Sequence, residues 1–134
     1  MENIIRKIAI ISTILIASIT AKAQVVECYN MIGEPESSFT GMTKMNDTCY
    51  ALYSQSEEII FIFRLNKRHY CDGAVIYPGS NDSYTKLVMD LTRNTVYDEK
   101  EKSYQRVNEK DIKLAAEFIE TESGQRYLSI YIEN

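Results

Sequence analysis

Residues 81–93 read NDSYTKLVMDLTR, and this stretch decides the fold class of the chain. Its apolar side chains recur at positions i, i+3, i+4 and i+7, which places them along one stripe of an α-helix. The four residues of the stripe are Tyr84, Leu87, Val88 and Leu91. The spacing therefore predicts an amphipathic helix over residues 81–93 that packs this stripe against another element.

The residues that flank this stretch favour the same helix. Ser80 or Asn81 can serve as the N-cap, and Asp82 places a negative charge at the positive end of the helix dipole. Arg93-Asn94 suits the opposite end, where a basic side chain complements the dipole and Asn tolerates a capping conformation. The predicted helix therefore has a signal at each end.

Residues 59–63, IIFIF, form the most apolar run beyond the N-terminal region. A strand with bulky apolar side chains at every position is typically central in a sheet and covered on both sides. We therefore expect residues 59–63 to be a central strand, with the helix at 81–93 covering one face.

Shorter alternating runs predict the remaining strands. In order with the central one, the predicted strands cover residues 25–32, 48–54, 59–63, 69–77, 95–98, 103–107, 112–118 and 128–132. Asp72-Gly73 predicts a bulge within the fourth strand, and Pro35 opens a short predicted helix that ends before Met45. The predicted class is α+β, with a mostly antiparallel sheet, one main amphipathic helix on a face, and a short N-terminal helix.

The N-terminus predicts export. A 12-residue apolar run, residues 8–19, follows Arg6 and Lys7; a membrane-spanning helix needs about 20 apolar residues. Ala21-Lys22-Ala23 then places small side chains where a signal peptidase requires them. We expect a cleavable signal peptide over residues 1–23 and a single small exported domain over 24–134, periplasmic or secreted, with no stable membrane anchor. An uncleaved N-terminal anchor is the alternative.

Charge narrows the classes of partner. Loss of residues 1–23 takes the chain from 15 basic and 19 acidic residues to 12 and 18, a net charge of −6. Such a domain repels phosphate backbones, which argues against nucleic acid as a partner. All 10 tyrosines follow residue 23, and Tyr suits half-buried interfaces. A protein or peptide partner is therefore expected, and the negative charge permits a cationic one; the sequence indicates no oligomeric state.

The three cysteines, Cys28, Cys49 and Cys71, permit at most one intramolecular disulfide. Their spacing matches no common zinc pattern. We expect Cys49 to pair with Cys71, because the strands that contain them flank a shared part of the sheet. The two pairings that involve Cys28 remain open.

His69 and Cys71 are the candidate catalytic residues. Residues two apart on a strand point to the same face, so a Cys–His pair is sterically allowed. A third, orienting group is missing, and exported thiols tend to oxidise. The chain also lacks a phosphate-binding glycine loop, a nucleophile elbow and a metalloprotease motif. The sequence therefore predicts a protein that is not an enzyme and that holds no metal or cofactor.

Ser123-Gly124-Gln125-Arg126-Tyr127 resembles the Ser-Gly-x-x-Tyr loop of periplasmic lysozyme inhibitors of the membrane-bound/C-type family. In that family the loop projects toward the lysozyme active site from the middle of a small β-barrel. Here the string lies in the last predicted hairpin, without the family's surrounding pattern, and that barrel has no counterpart of the 81–93 helix. We assign no family, and retain Ser123, Gly124, Arg126 and Tyr127 as a candidate interaction loop.

These patterns predict a non-catalytic exported binding or interaction module of unspecified role, with an inhibitor or immunity protein against a cationic exported enzyme as one form. The alternative is a carrier of a small apolar ligand, with a pocket between helix and sheet. An enzyme that uses Cys71 and His69 is the third hypothesis. A cavity beneath the helix would favour the carrier, and a flat, exposed Tyr patch would favour the interaction module.

Overall fold

The computed structural model of this protein describes residues 25–133. The predicted signal peptide, residues 1–23, lies outside the described residues. The helices are α1 (Val25–Met31), a 3-10 helix (Glu36–Phe39) and α2 (Asn81–Asn94). The strands are β1 (Thr43–Asn46), β2 (Cys49–Ser54), β3 (Ile59–Leu65), β4 (Cys71–Pro78), β5 (Val96–Asp98), β6 (Ser103–Val107), β7 (Lys113–Glu120) and β8 (Arg126–Ile132).

All eight strands form one antiparallel sheet in the order β1-β2-β3-β4-β8-β7-β6-β5. The last strand therefore pairs with β4 in the middle of the sheet. Because every neighbouring pair is antiparallel, β4 and β5 run in the same direction, and α2 is the crossover between them. The protein is thus an α+β fold with one main helix on its sheet, as the sequence predicts.

Helix α2 forms as predicted. The Ser80 hydroxyl accepts a hydrogen bond from the Ser83 amide at 3.1 Å, and the Ser83 hydroxyl accepts one from the Ser80 amide at 2.9 Å. This reciprocal pair is a capping box that satisfies amides at the helix start. Leu87 and Leu91 are completely buried and Tyr84 and Val88 half-buried, so the predicted stripe faces the sheet.

The inner face of the sheet, the one that α2 covers, contains the main core. In β3 it comprises Ile59, Phe61, Phe63 and Leu65, all buried. The Phe39 ring of the 3-10 helix packs against the Phe63 ring in a tilted arrangement, with ring centroids 5.3 Å apart. The core also includes buried residues from the neighbouring strands: Ala74, Ile76, Leu114, Ala116, Leu128 and Ile130.

The segment Val25–Met31 corrects the sequence-based prediction, because it is helix α1 and not a strand. Cys28, Tyr29 and Ile32 are all buried. They lie one, three and four residues apart, a spacing that puts them on one side of a helix. The pair of β-branched valines at the start favours a strand locally, but burial of this apolar side against the core overrides that preference.

Two neighbouring predictions also change. The predicted short helix after Pro35 is a single 3-10 turn over Glu36–Phe39, and Thr43–Asn46 is edge strand β1. The bulge predicted at Asp72-Gly73 is confirmed. Arg64 pairs with Gly73 and Leu65 with Cys71, which leaves Asp72 as the extra residue.

Candidate functional site

The cysteines do not form the predicted disulfide: all three are free thiols. Cys49 lies opposite Arg64 on the far side of the sheet from α2, whereas Cys71 lies opposite the buried Leu65 on the inner face. Strand β3 separates them, so they are two strand spacings, roughly 10 Å, apart. A disulfide needs Cα atoms within about 7 Å. The pairing of Cys49 with Cys71 is therefore wrong, since the bulge turns Cys71 inward.

The second thiol in the core is Cys28, on α1. It belongs to the same buried cluster as Cys71. Burial, followed by the nearby Cys71, raises the pKa of the Cys28 thiol. Burial also raises the pKa of Cys71 to about 11. Both thiols are therefore protonated and poor nucleophiles at neutral pH.

His69 and Cys71 have separate surroundings. Cys71 is 1% exposed, and its thiol donates to the Gly73 carbonyl at 3.4 Å. The His69 side chain is 67% exposed, and its Nδ1 lies 3.0 Å from a Glu36 carboxylate oxygen. Backbone at His69 has a positive φ of 64°, so the alternation assumed for a regular strand fails there. The two residues do not share a face, and the sequence argument for a Cys–His pair loses its geometric basis.

Glu36 is the centre of a polar cluster that the sequence does not reveal. Its carboxylate accepts a hydrogen bond from the Tyr50 hydroxyl at 2.6 Å and lies 3.7 Å from Lys44 Nζ and 3.0 Å from His69 Nδ1. The Tyr50 hydrogen bond, and then the Lys44 charge, lower the pKa of Glu36. The cluster ties the 3-10 helix to β1, β2 and the turn before β4. These residues are up to 33 positions apart, so no local motif predicts them.

The candidate interaction loop is the β7–β8 hairpin, and its four residues lie in different surroundings. Gly124 has a positive φ of 85°, which the turn requires, and it is exposed with Ser123. The Arg126 guanidinium lies 3.9 Å from the centre of the Tyr84 ring, at the start of α2. Tyr127 contributes instead to the opposite face of the sheet. The four residues thus do not form one surface.

The outer face of the sheet, opposite α2, contains a row of aromatic and aliphatic side chains. The strand register aligns Tyr53 with Ile60, Ile60 with Tyr77, and Tyr127 with Ile119. The Tyr77 and Tyr127 rings join the two halves, with centroids 5.2 Å apart. We call these five residues the tyrosine row. It crosses β2, β3, β4, β8 and β7, so its width is about 19 Å.

The tyrosine row is only partly covered. Ile60 is buried, but Tyr53, Tyr77, Ile119 and Tyr127 are half-buried. The outer cluster around Ile60 draws only on strand residues, so within residues 25–133 no helix packs on this face. The sequence predicts that both faces of β3 are covered by other elements. Within residues 25–133, helices pack only on the inner face.

A second row beside the first adds a carboxylate. Ile62 pairs with Val75, Val75 with Ser129, and Ser129 with Glu117. Tyr131 lies next to this row, and burial, followed by the charge of Glu117, raises its pKa. Burial and then Tyr127 raise the pKa of Tyr77. Of these two tyrosines, Tyr131 is the one that lies beside the Glu117 carboxylate.

No group of three or more His, Cys, Asp or Glu side chains within residues 25–133 is arranged to hold a metal ion. No helix in the same part of the chain has the length and apolarity needed to cross a membrane.

Comparison with known proteins gives no match: no family model matches the chain, and no curated protein or solved structure is significantly similar to it.

Proposed function

We propose that this protein is an exported, non-catalytic interaction module that binds a cationic protein or peptide through its outer face. The observation that supports this proposal is the tyrosine row, on which no helix of the described residues packs. A contiguous apolar row on the surface of a sheet is typical of an interaction site. Proteins also use Tyr at interfaces more than at the rest of their surface.

The chemistry of the outer face favours a positively charged partner. Glu117 projects among the apolar residues, and Tyr rings attract cations through their faces. Arg64, a basic residue on this face, is paired with Asp72 at 2.9 Å. The net charge of residues 24–134 is −6, which steers a cationic partner toward the domain. The export proposal rests on residues 1–23 and would place the encounter outside the cytoplasm.

The carrier hypothesis receives less support. A carrier would need space between α2 and the sheet, where Leu87 and Leu91 are completely buried and pack into the main core. The hydrophobic interior beneath the helix is thus occupied by the protein's own side chains. The half-exposed surface lies on the opposite side of the sheet, as an interaction module requires.

A matched pair of peptides tests the proposal. The affinity of the full chain is measured by fluorescence polarisation for two labelled 12-residue peptides, one alternating Lys and Leu and the other Glu and Leu. We expect the Lys peptide to bind about tenfold or more tightly. Tyr77→Ser combined with Tyr127→Ser should weaken its binding by about tenfold or more, because both side chains are anchors. Raising the salt concentration should weaken it further.

Tyr70→Ser is the matched control, because Tyr70 is exposed but lies in the turn before β4, away from the tyrosine row. Its affinity for the Lys peptide should equal that of the wild type. Equal binding of both peptides, or unchanged binding by the double variant, would contradict the proposal. A dimer that the double variant dissociates would assign the outer face to a second copy of this chain instead.

A further inference from the structure

Ser129 forms a gap in the outer face of the sheet. It lies on β8 midway between Tyr127 and Tyr131, and the three side chains share this face because residues two apart on a strand point the same way. The two tyrosines are about 13 Å apart along the strand, with only the small Ser129 side chain between them. Ser129 is half-buried, so solvent reaches the gap. Two large rings therefore border a space that the side chain between them does not fill.

The strand register defines the two ends of this gap. Ser129 pairs with Val75 of β4 on one side and with Glu117 of β7 on the other. Neighbouring strands are about 4.8 Å apart, so the path from Val75 across Ser129 to Glu117 is about 10 Å long. It has an apolar end, a small polar floor and a carboxylate end. We call this path the Ser129 slot.

The Glu117 carboxylate is not neutralised by a basic residue. The ion pairs within residues 25–133 use other carboxylates: Glu34, Glu36, Asp72 and Glu109. Lys102 borders the same recess as Glu117 but makes no ion pair with it in this part of the chain. Arg64 lies beside Gly73, next to the slot, and its charge is compensated by Asp72 at 2.9 Å. The carboxylate is therefore available to an external cation.

The end of the slot at Glu117 is negative. Tyr131 lies beside the Glu117 carboxylate and can donate a hydrogen bond to it, and burial is the main cause of the raised pKa of this tyrosine. The charges of Glu133 and Glu101 raise the same pKa further. Tyr131 thus orients the carboxylate without cancelling its charge. Three carboxylates near one tyrosine favour a cation there, and a tyrosine ring attracts a cation through its face.

We infer that the Ser129 slot binds one Lys or Arg side chain of the partner. The aliphatic stem lies on Val75 and Ser129 between the two tyrosine rings, and the cationic group meets the Glu117 carboxylate. Basic side chains bury their stems on apolar surface while their charged ends stay with polar groups, and a charge-assisted hydrogen bond strengthens the contact. This inference rests on the proposed function. It assigns the preference for a cationic partner to one carboxylate instead of to the net charge of the domain.

Three labelled 12-residue peptides test the inference by fluorescence polarisation with the full chain. They alternate Leu with Lys, with Arg or with the neutral Gln. The wild type should bind the tighter of the two basic peptides about tenfold or more tightly than the Gln peptide, and that peptide identifies the basic residue that the slot prefers. Glu117→Gln should reduce this ratio of affinities about fivefold or more. Glu99→Gln removes the same charge from the exposed β5–β6 turn and should leave the ratio unchanged.

Filling the slot is a second test that leaves the carboxylate in place. Ser129→Leu should also reduce the ratio about fivefold or more, because the new side chain takes the position of the stem. Ser56→Leu, in the exposed β2–β3 turn, is the matched control and should keep the wild-type ratio. A ratio that survives in Glu117→Gln or in Ser129→Leu would overturn the inference and leave the proposed function standing. A wild type that does not prefer the basic peptides would overturn both.

Discussion

The two faces of one sheet differ sharply, although the same strands build both. On the inner face, Phe61 and Phe63 of β3 are buried in the same core cluster as residues of α1, the 3-10 helix and α2. On the outer face, Ile60 is buried only by side chains of neighbouring strands, and Ile62 is half-buried. Alternate residues of a single strand therefore serve different purposes. One set holds the fold together, and the other presents a surface.

The difference shows that an apolar strand can contribute to both the core and an exposed surface. Inner-face side chains gain free energy from complete removal from water, about 25 cal/mol per Å² of apolar surface. Half-buried residues on the outer face gain only part of this free energy on folding. Binding of a partner that covers them would contribute the rest. The comparison makes three predictions, given in order of decreasing expected effect.

The largest effect is expected on the inner face, where Leu87→Ala should lower the free energy of unfolding by about 2–5 kcal/mol. Leu87 is completely buried between α2 and the sheet, so its truncation loses transfer free energy and leaves a cavity. Urea-induced unfolding, followed by circular dichroism, measures the change.

Lys86→Ala is the matched control, since Lys86 is the adjacent exposed residue of the same helix. It should change stability by about 0.5 kcal/mol or less. A Leu87→Ala variant as stable as this control would mean that the packing of α2 does not stabilise the inner face.

The second prediction compares thiols on the two faces. At pH 8, iodoacetamide should alkylate Cys49, which is partly exposed, well before Cys28 and Cys71, which are buried. Burial raises the pKa of Cys71 from 9.0 to about 11. This leaves roughly a hundredfold less thiolate at that pH than a thiol with the ordinary pKa.

Intact mass spectrometry over time gives the number of labels, and peptide mapping gives their sites. We expect one label per folded chain and three after unfolding in urea. Cys49→Ser should remain unlabelled over the same period. Rapid labelling of Cys71 in the folded protein would show that the inner face opens near β4, and would restore Cys71 as a candidate nucleophile.

Sequence reasoning captures the elements whose pattern is local. The apolar stripe from Leu87 to Leu91 and the N-cap Ser80 predict α2. The apolar run at 59–63 predicts β3, one of the inner strands of the sheet. Sequence reasoning fails for Val25–Met31. The two β-branched valines favour a strand locally, and the sequence alone does not show that this segment packs against the inner face of the sheet as a helix. Strand β1 is missed since Thr43–Asn46 has no apolar alternation of its own.

The tyrosine row cannot be predicted without the order and register of all the strands that contribute to it. Tyr53, Tyr77 and Tyr127 are recognisable as tyrosines, but β8 must insert beside β4 before Tyr127 meets Tyr77. The cysteine pairing failed for a related reason. A single bulge residue, Asp72, reverses the alternation and sends Cys71 to the face opposite Cys49.

The smallest effect is expected where the inner face is held by polar contacts instead of apolar ones. Glu36 joins the 3-10 helix to Tyr50 of β2, and the Tyr50 hydroxyl is the main cause of its lowered pKa. Because the folded pKa lies below the ordinary value of 4.5, the carboxylate stabilises the fold fully above that value. The contribution is lost as the pH falls through the folded pKa.

Glu36→Gln should therefore lower the melting temperature at pH 7, and the difference from the wild type should shrink below about pH 4.5 and vanish once Glu36 is protonated. The effect should be smaller than that of Leu87→Ala, because water reaches the Glu36 cluster and screens its charges.

Thermal melts from pH 2 to pH 7 measure this difference in melting temperature. Glu99→Gln, an exposed substitution in the β5–β6 turn, is the control that should show no such pH dependence. A difference that stays constant down to pH 2 would mean that Glu36 acts through packing and not through its charge. The cover of the inner face would then be apolar throughout, and the contrast between the two faces would be sharper than proposed.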